Sequence, residues 1–414
     1  MEQQEKMKLV VQVSQVFRPG TPIDKYDLFA GRIEQVKDVV NATIQPGRHV
    51  IIFGERGVGK TSLAKVISEI LSQAGVRVLD SGTIDCDGTD DFSSLWHKIF
   101  RELSFIIETK QAGFLGGQAQ SPKEKVSLQS LLPEKARPDD VRYVLSRLPS
   151  DPIKTIIIID EIDRIKDKET CTLLADTIKN LSDHAVSTTL ILVGVADAVE
   201  DLIAQHQSIE RALVQVPMPR MSRTELIQII DKGVKAVGMT IEENAKNWIA
   251  QLSLGFPYCT HSLGLYSSLK AVDDGRTHIT INDVAEATRT LVEKPHTLVS
   301  TYNKAIRSPQ KHNIYTQVLL ACVLARKDEL GYFAASAVSK PLSILMKKKY
   351  DIPSYSRHLA HFCEAKRGPI LQKMGDPRRL RYRFVDPMMQ PFVIIHGYAT
   401  GLLNADMLKQ VSEN

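Results

Sequence analysis

The chain has 414 residues, of which 43% are hydrophobic and 24% are charged. This length predicts two or three domains, and this composition is typical of a soluble globular protein. A membrane span needs about eighteen consecutive apolar residues, and the sequence has neither such a run nor an apolar signal core behind its polar N-terminus. We therefore expect a cytoplasmic protein. The cysteines are scattered without a CxxC pair, which favours reduced thiols over a disulfide or zinc framework.

The net charge of +5 is unevenly distributed. Residues 301–414 contain eighteen Lys or Arg against eight Asp or Glu, a charge of +10, so the preceding residues sum to −5. A basic C-terminal part after an acidic remainder of the chain favours a C-terminal domain that binds a polyanion. A solvated basic face without a partner would have the same composition.

The predicted elements alternate between strands and helices over the first half of the chain. An approach segment over 1–47 contains a turn-rich stretch at 18–22 and a helix over 31–44. Apolar runs predict buried strands at 49–53, 76–86, 155–159 and 188–195. Helices are predicted over 62–74, 139–148 and 171–180, and another, capped by Asp91 or Ser93, carries Trp96 and Phe100. This alternation predicts an α/β fold, a parallel sheet with helices on both faces.

The later part of the chain has a different pattern. Residues 111–126 are poor in large apolar groups and predict a mobile insertion in the sheet domain, which we place at 48–220. The pattern from 223 to 292 is wholly helical and predicts a smaller lid domain over 221–299. A C-terminal domain then occupies 300–414.

A phosphate-binding loop follows the first predicted strand. Residues 54–61 fit the pattern GxxxxGK[ST] at every fixed position, between a strand and a helix. Glycines let the backbone N–H groups point at phosphate oxygens, and the following helix adds its positive end. We expect Lys60 to reach the β- and γ-phosphates of ATP and Thr61 to bind Mg²⁺. The predicted nucleotide contacts here are Gly54, Glu55, Arg56, Gly57, Val58, Gly59, Lys60, Thr61 and Ser62.

Two carboxylates follow a run of four isoleucines at 156–159. Because ligands bind at the carboxyl ends of parallel strands, we expect Asp160 to hold Mg²⁺ through its water shell and Glu161 to polarise the attacking water. Capping of the next helix is the alternative for both Glu161 and Asp163, and it is the interpretation we prefer for Asp163.

These motifs resemble the AAA+ ATPases, particularly the origin-recognition and initiator branch, and the related signal-transducing STAND group. Residues 29–34 look like the box that both groups carry before the phosphate loop, which implies that Phe29, Gly31 and Arg32 lie on the adenine side. An ordinary helix start is the alternative.

Further candidates come from the same resemblance. The strand at 188–197 resembles sensor 1 but ends in Gly194, Ala196 and Asp197, so Asp197 either orients the water or caps a helix. Arg211 follows a stretch that resembles the source of an arginine finger, which implies a homo-oligomer in which Arg211 acts on a neighbour; a surface salt bridge is the alternative.

The lid domain carries a Gly-x-Pro element. Gly255, Phe256 and Pro257 resemble this element of STAND proteins, which implies a nucleotide contact by Pro257, although a plain helix-start turn has the same residues. The usual sensor-2 arginine is missing, and Tyr258 and His261 stand nearby.

The C-terminal domain is predicted as three helices, over 314–324, 335–346 and 354–364, and a hairpin of 370–374 with 380–384. This is the order of a winged helix, and it resembles the C-terminal domain of initiator ATPases. The third helix would then enter a major groove of duplex DNA. The expected phosphate contacts are Arg357, Lys366, Arg367, Arg378, Arg379 and Arg381. Winged helices also dock proteins, so a protein partner is the alternative.

Three functions follow from these observations. The leading one is an AAA+ ATPase that hydrolyses ATP with Mg²⁺ and binds duplex DNA through its winged helix. The second is a STAND-like signalling adaptor whose winged helix packs on the nucleotide and controls oligomerisation with a protein partner. The third is a helper ATPase of a mobile-element or defence system.

Overall fold

The computed structural model describes residues 2–78, 84–108, 123–148, 154–195, 207–293, 296–310, 313–328, 330–376 and 379–412. Its strands are β1 (His49–Phe53), β2 (Arg77–Val78), β3 (Ile84–Asp85), β4 (Ser104–Glu108), β5 (Lys123–Ser127), β6 (Thr155–Asp160), β7 (Thr188–Gly194), β8 (Leu213–Pro217), β9 (Thr240–Ile241), β10 (His278–Ile279), β11 (Phe333–Ala334), β12 (Leu371–Met374) and β13 (Arg381–Phe384).

The helices are α1 (Gln3–Val16), α2 (Ile33–Ile44), α3 (Lys60–Gln73), α4 (Phe92–Glu102), α5 (Pro138–Leu145), α6 (Lys168–Asp183), α7 (Arg223–Ala236), α8 (Glu243–Leu252), α9 (Pro257–Asp273), α10 (Ile281–Glu293), α11 (His296–Ile306), α12 (Tyr315–Leu324), α13 (Ser336–Met346), α14 (Ile352–Phe362), α15 (Met389–Ala399) and α16 (Ala405–Ser412).

The main sheet is parallel throughout, with strand order β2, β6, β7, β1, β8, and β3 extends it beside β6. Since β7 lies between β1 and β6, the ends of all three strands meet at one edge. Phe53 of β1 is paired with Gly194 of β7, and Ile159 of β6 with Leu192. The predicted phosphate loop and the acidic pair therefore share the carboxyl edge of the sheet.

Side chains of the central strands alternate between two apolar cores. Val50, Ile52 and Ile156 belong to one core, and Ile51 and Ile157 to the other, and all five are fully buried. Because successive strand residues point to opposite faces, helices must cover both sides. Helix α3 covers the first face, and α4, α5 and α6 cover the second. The predicted α/β fold is confirmed.

Helix caps and one hairpin refine the predicted boundaries. Asp91 caps α4 as predicted, accepting a hydrogen bond from the Ser94 N–H at 2.7 Å. The insertion predicted at 111–126 is shorter on its C-terminal side, because residues 123–126 belong to β5, which pairs antiparallel with β4. Residues 111–122 lie outside the described part of the chain.

The lid consists of α7 to α10 with the short parallel pair β9 and β10. Helix α1 packs on α9 and α7 of this lid. The Phe17 ring, 1% exposed, lies between Gly233 of α7 and Gly264 of α9. A Cβ atom at either glycine would come within 2.4 Å or 2.6 Å of that ring, so only glycine leaves room for it.

The winged helix has the predicted three helices, here α12, α13 and α14, and a three-stranded antiparallel sheet in the order β11, β13, β12. Helix α15 follows the wing and packs on α10, α12 and α8. Its Tyr398 ring contacts Trp248 of the lid edge-on, at 4.3 Å between ring centroids. Lid, winged helix and the α3 face of the sheet share one apolar core. Within the described residues, no helix is long and apolar enough to cross a membrane.

Candidate nucleotide site

The loop between β1 and α3 has the backbone that its glycines predict. Gly57 and Gly59 have φ of +83° and +96°, in the left-handed region that side chains disfavour. Gly59 is the N-cap of α3, so the first N–H groups of that helix face the loop. This backbone can cradle an anion.

Lys60 begins α3 and bends back over the loop. Its Nζ donates hydrogen bonds to the carbonyls of Gly54 (3.1 Å) and Glu55 (2.9 Å). Burial lowers the pKa of Lys60, and the carboxylates of Asp163 and Asp160 oppose that shift. The ammonium is thus held by two carbonyls, acceptors that phosphate oxygens can replace.

Asp160 ends β6 and is 3% exposed. One oxygen accepts the Glu161 N–H at 2.7 Å, and the Thr61 hydroxyl also bonds this carboxylate. Burial raises the pKa of Asp160, while these two hydrogen bonds lower it. Its other oxygen, Oδ2, has no hydrogen-bond partner among the described residues.

The donor set around Asp160 fits a magnesium ion bound together with a nucleotide. A buried carboxylate oxygen without a partner and a neighbouring hydroxyl are hard oxygen ligands, and Mg²⁺ takes few protein ligands when phosphates supply the others. The described residues contain no group of three or more His, Cys, Asp or Glu that could hold a metal by itself. Such an ion would therefore depend on the phosphates.

The structure separates the two carboxylates that follow Asp160. Glu161 has φ of +57°, and its exposed side chain pairs with Arg164 at 2.8 Å. Asp163 is turned inward, where it accepts hydrogen bonds from Arg56 and from the Val195 N–H, each at 3.3 Å. The interpretation of Asp163 as a helix cap was wrong, because Asp167 caps α6 through the N–H groups of Glu169 and Thr170.

A cavity of about 280 Å³, here called the lid cavity, lies beside the phosphate loop. It brings together three groups of predicted contacts: the loop residues 57–62, Phe29 with Arg32, and Pro257. The wall also includes Tyr258 and His261, which the sequence places beside the Gly-x-Pro element. Sequence reasoning missed the contribution of residues 18–23, Met221 and Ile229. The turn-rich composition of residues 18–22 was the one sequence signal that could have pointed to this part of the wall.

The box at 29–34 is fixed to the lid by polar contacts. Arg32 is 3% exposed and donates to the Pro219 carbonyl (2.5 Å) and the Val58 carbonyl (3.3 Å). Glu225 of α7 accepts the Arg32 N–H, and Lys232 donates to the Phe29 carbonyl. Gly31, with φ of +66°, packs against Glu225 instead of lining the cavity.

The Gly-x-Pro element forms a tight helix start. Gly255 has φ of +85°, Phe256 is fully buried, and Pro257 is at the first position of α9. The Pro257 ring lies 3.7 Å from the position that a Cβ of Gly59 would occupy, so the lid contacts the phosphate loop here. Burial lowers the pKa of nearby His261 to about 4, which leaves its imidazole neutral at pH 7.

An arginine that sequence reasoning did not single out joins three parts of the molecule. Arg220, between β8 and α7, makes a bidentate pair with Glu55 of the phosphate loop, at 2.6 Å and 3.0 Å. It also donates to Gln390 of α15 at 3.1 Å and stacks on the Phe256 ring at 4.5 Å. We call Glu55, Arg220 and Gln390 the Arg220 cluster.

The winged helix lies directly on the phosphate loop around this cluster. A Cβ atom at Gly57 would be 2.7 Å from the Met388 sulfur, and one at Gly331 would be 1.9 Å from Glu55 Oε1. A second cavity of about 330 Å³, the wing cavity, separates β13 from the ends of β6 and β7. The winged helix therefore packs closely on the phosphate loop, and the wing cavity leaves a gap beside this contact.

Arg211 lies far from its own phosphate loop. It ends a short helical turn before β8 and is exposed, and its carbonyl accepts a hydrogen bond from Arg48. His49 is paired with Leu213, so Arg211 is at the amino edge of the sheet, about 16 Å of strand from the carboxyl edge. Any role of Arg211 in hydrolysis would be at a neighbour's site. Asp197 lies outside the described residues.

The residues predicted to contact DNA differ in the bonds that they make within the protein. Arg367 points inward: it donates to the carbonyls of Ala305 and Arg307 and stacks 3.9 Å above the Tyr315 ring. The exposed candidates Lys366 and Arg381 pair with Glu364 and Asp328, both at 2.9 Å, and Arg357 donates to His361. Arg379 is exposed, and Arg378 lies outside the described residues.

A parallel sheet with a glycine-rich loop after β1 and a buried carboxylate at the end of β6 defines a P-loop NTPase. The chain belongs to a family described as Novel STAND NTPase 1, whose model matches residues 22–254, more than half of the sequence. The predicted P-loop NTPase with STAND-like features is confirmed by this membership.

Two further comparisons add solved structures but no curated relative. The sequence matches no curated protein significantly. The chain is similar to CDC6P from Pyrobaculum aerophilum, with 15% identity, TM-score 0.46 and coverage of 94% of this chain and 99% of that chain. The Aeropyrum pernix ORC2 protein gives 14% identity, TM-score 0.48 and coverage of 97% and 98%. A Walker-type ATPase of Pyrococcus abyssi gives 17% identity, TM-score 0.48 and coverage of 91% of this chain and 99% of that chain.

Proposed function

We propose that the protein is an ATP-hydrolysing switch in which the nucleotide controls the docking of the winged helix on the phosphate loop. The observation that carries this proposal is the Arg220 cluster, in which one guanidinium bonds Glu55 of the loop and Gln390 of α15. Family membership supports the NTPase part of the proposal.

The chemistry at the loop follows from the residues at the carboxyl edge. Lys60 would bind the β- and γ-phosphates, and Thr61 and Asp160 would hold Mg²⁺, which neutralises charge on the transferred phosphoryl group. Glu161 would turn from Arg164 towards the attacking water. The lid cavity would take the adenosine, with Phe29, Arg32 and Pro257 in its wall.

The switch follows from where Glu55 lies. Its side chain is 5% exposed, and that of Arg220 is 24% exposed, so each charge needs the other. Phosphates that displace the Lys60 bonds to the Gly54 and Glu55 carbonyls would also move the Glu55 backbone. The pair with Arg220 and the Gln390 contact would then change together.

Oligomerisation is part of the same proposal. The undocked state would join neighbours through the amino edge of the sheet, where Arg211 could reach the γ-phosphate of the next subunit. Residues 48–220, 221–299 and 300–414 would act as ATPase core, lid and winged helix. A protein partner that binds the undocked winged helix would complete a signalling adaptor.

Duplex DNA is a second candidate ligand of the winged helix. The observation that favours it is the exposed run Lys347, Lys348 and Lys349 between α13 and α14, within residues 301–414, which carry a charge of +10. Arg357 on α14 and Arg379 near the wing are exposed as well. Such a set of cations would bind DNA phosphates with a strong dependence on salt.

The test is ATP hydrolysis and ATP binding by the wild type, Lys60→Ala and Glu161→Gln, with and without duplex DNA at two salt concentrations. We expect Lys60→Ala to lose binding, and Glu161→Gln to bind ATP but hydrolyse it at least about a hundredfold more slowly. Failure of the wild type to bind ATP would contradict the proposal.

The assays with duplex DNA test the second candidate, in which the winged helix binds DNA. Salt-sensitive DNA binding that stimulates hydrolysis in the wild type but not in Glu161→Gln would support it. The alternative outcome is that DNA changes neither the hydrolysis rate nor the solution scattering, while ATP changes the scattering because the winged helix undocks. That outcome would favour the switch with a protein partner.

A further inference from the structure

Asp163 occupies a place that neither the sequence motifs nor the proposed catalytic set accounts for. It lies on the helical turn Ile162–Arg164 after β6, and its side chain is 15% exposed. One carboxylate oxygen, Oδ2, accepts a hydrogen bond from Arg56 Nη2 in the phosphate loop. The other, Oδ1, accepts the Val195 N–H just after β7.

These two bonds cross the sheet edge. Because β7 lies between β6 and β1, the Asp163 side chain spans from the end of β6, over the end of β7, to the loop after β1. Gly194 makes this possible: a Cβ there would be 2.6 Å from Ile162 Cγ1 and 3.6 Å from Asp163 Oδ1. Three separate segments of the site therefore share one carboxylate.

Arg56 is 69% exposed, so its pair with Asp163 contributes little to folding stability. The pair of Asp163 with Arg56 therefore serves the geometry of the phosphate loop and not the folding stability.

We propose that Asp163 is a positioning residue for nucleotide hydrolysis, which holds Arg56 of the phosphate loop and the end of β7 in one arrangement around the γ-phosphate. This inference rests on the proposed ATPase activity. It gives Asp163 a role distinct from that of Glu161, whose side chain pairs with Arg164 on the surface.

The experiment compares Asp163→Asn, Arg56→Gln and their double variant with the wild type, in steady-state hydrolysis and in ATP binding at pH 7. The control is Asp167→Asn, which removes the same charge four residues away and keeps an N-cap residue for α6. A melting curve for each variant shows that it is folded.

We expect Asp163→Asn to lower kcat by about tenfold to a hundredfold, as expected for a small misplacement of reacting groups. ATP affinity at pH 7 should change by less than about threefold. The double variant should lose no more activity than Asp163→Asn alone, because both residues act through one contact.

Wild-type kcat in Asp163→Asn would overturn the inference, and so would additive losses in the double variant. A wild type that binds and hydrolyses ATP, with an inactive Glu161→Gln, shows that the proposed function stands even when this inference fails. Absence of hydrolysis in the wild type would overturn both.

Discussion

His49 is a buried titratable group at the first position of β1. It is fully buried, and its Nδ1 accepts a hydrogen bond from the Leu190 N–H at 3.0 Å. Protonation of Nδ1 would break that bond in an apolar site. Burial, with a smaller effect of Lys154, therefore lowers the pKa of His49 from 6.5 to about 3.

Acid should therefore destabilise the protein through His49. Between pH 6.5 and about 3 the unfolded chain binds a proton at His49 that the folded chain does not, so the free energy of unfolding falls as pH falls. The expected slope from this one group is about 1.4 kcal/mol per pH unit. His261, with a pKa of about 4, acts in the same direction.

Urea unfolding of the wild type and His49→Asn at pH 7, 6 and 5 measures this effect. The variant should be less stable at pH 7 but should lose less stability on acidification. His184→Gln, at an exposed histidine, serves as the control and should keep the wild-type slope. Parallel slopes for the wild type and His49→Asn would contradict the assignment.

Residues of the site were predictable where they form a contiguous motif. The loop 54–61 and Asp160 could be found because phosphate and Mg²⁺ chemistry fixes their types and spacing. Arg220 could not, because its partners Glu55 and Gln390 lie 165 and 170 residues away in sequence. The cap interpretation of Asp163 failed because two aspartates, Asp163 and Asp167, precede α6 and local sequence does not choose between them.

Among the helices, α1 is followed by an aromatic side chain, Phe17, that packs into the lid. Phe17 fills the slot between Gly233 and Gly264, and its ring centroid lies 6.1 Å from that of His261 in an edge-on arrangement. Sequence periodicity could not predict this docking, because the two glycines lie on different helices and show no pattern of their own. Helices and strands around the sheet were predictable, since their apolar periods reflect burial.

Gly264→Ala should destabilise the protein by about 1 to 3 kcal/mol, because its Cβ would lie 2.6 Å from the Phe17 ring. Phe17→Ala should cost about 3 to 5 kcal/mol. Combining Gly264→Ala with Phe17→Leu should cost less than the sum of the two single changes, since the smaller side chain makes room. Chemical denaturation of the wild type, Gly264→Ala, Phe17→Leu and their double variant tests this, with Phe17→Ala measured alongside, and strictly additive losses would contradict the slot.

In the winged helix, Arg367 should matter for folding and not for DNA. Its bonds to the Ala305 and Arg307 carbonyls close the C-terminal end of α11. We expect Arg367→Ala to cost about 2 kcal/mol of stability. In a salt titration of DNA binding, Arg379→Ala should reduce the slope by about one unit, and Arg367→Ala should leave it unchanged. A reduced slope in Arg367→Ala would place that arginine on the DNA.

At the scale of the whole molecule, the docked winged helix depends on the Arg220 cluster. Arg220→Gln leaves Glu55 without its cation in a site where that side chain is 5% exposed. We expect a loss of stability on the order of 3 kcal/mol and a larger radius of gyration in solution scattering. Gln390→Ala should loosen the docking with a smaller loss.

Arg381→Gln is the matched control, because it breaks an arginine–carboxylate pair within the winged helix, with Asp328, whose side chains are 55% and 39% exposed. It should cost less than about 1 kcal/mol and leave the radius of gyration unchanged. Equal scattering from Arg220→Gln and the wild type, with and without ATP, would refute the docking role.

The shared core of lid and winged helix has a mechanical consequence. Because Tyr398 of α15 packs on Trp248 of α8, and α15 also lies against α10, we expect these parts to move together as one lever arm. The pivot would be the short segment between Pro217 and Arg223, where Arg220 lies. A small rotation there would carry the lysines at 347–349 through a longer arc, so a change at the phosphates would be amplified at the basic surface.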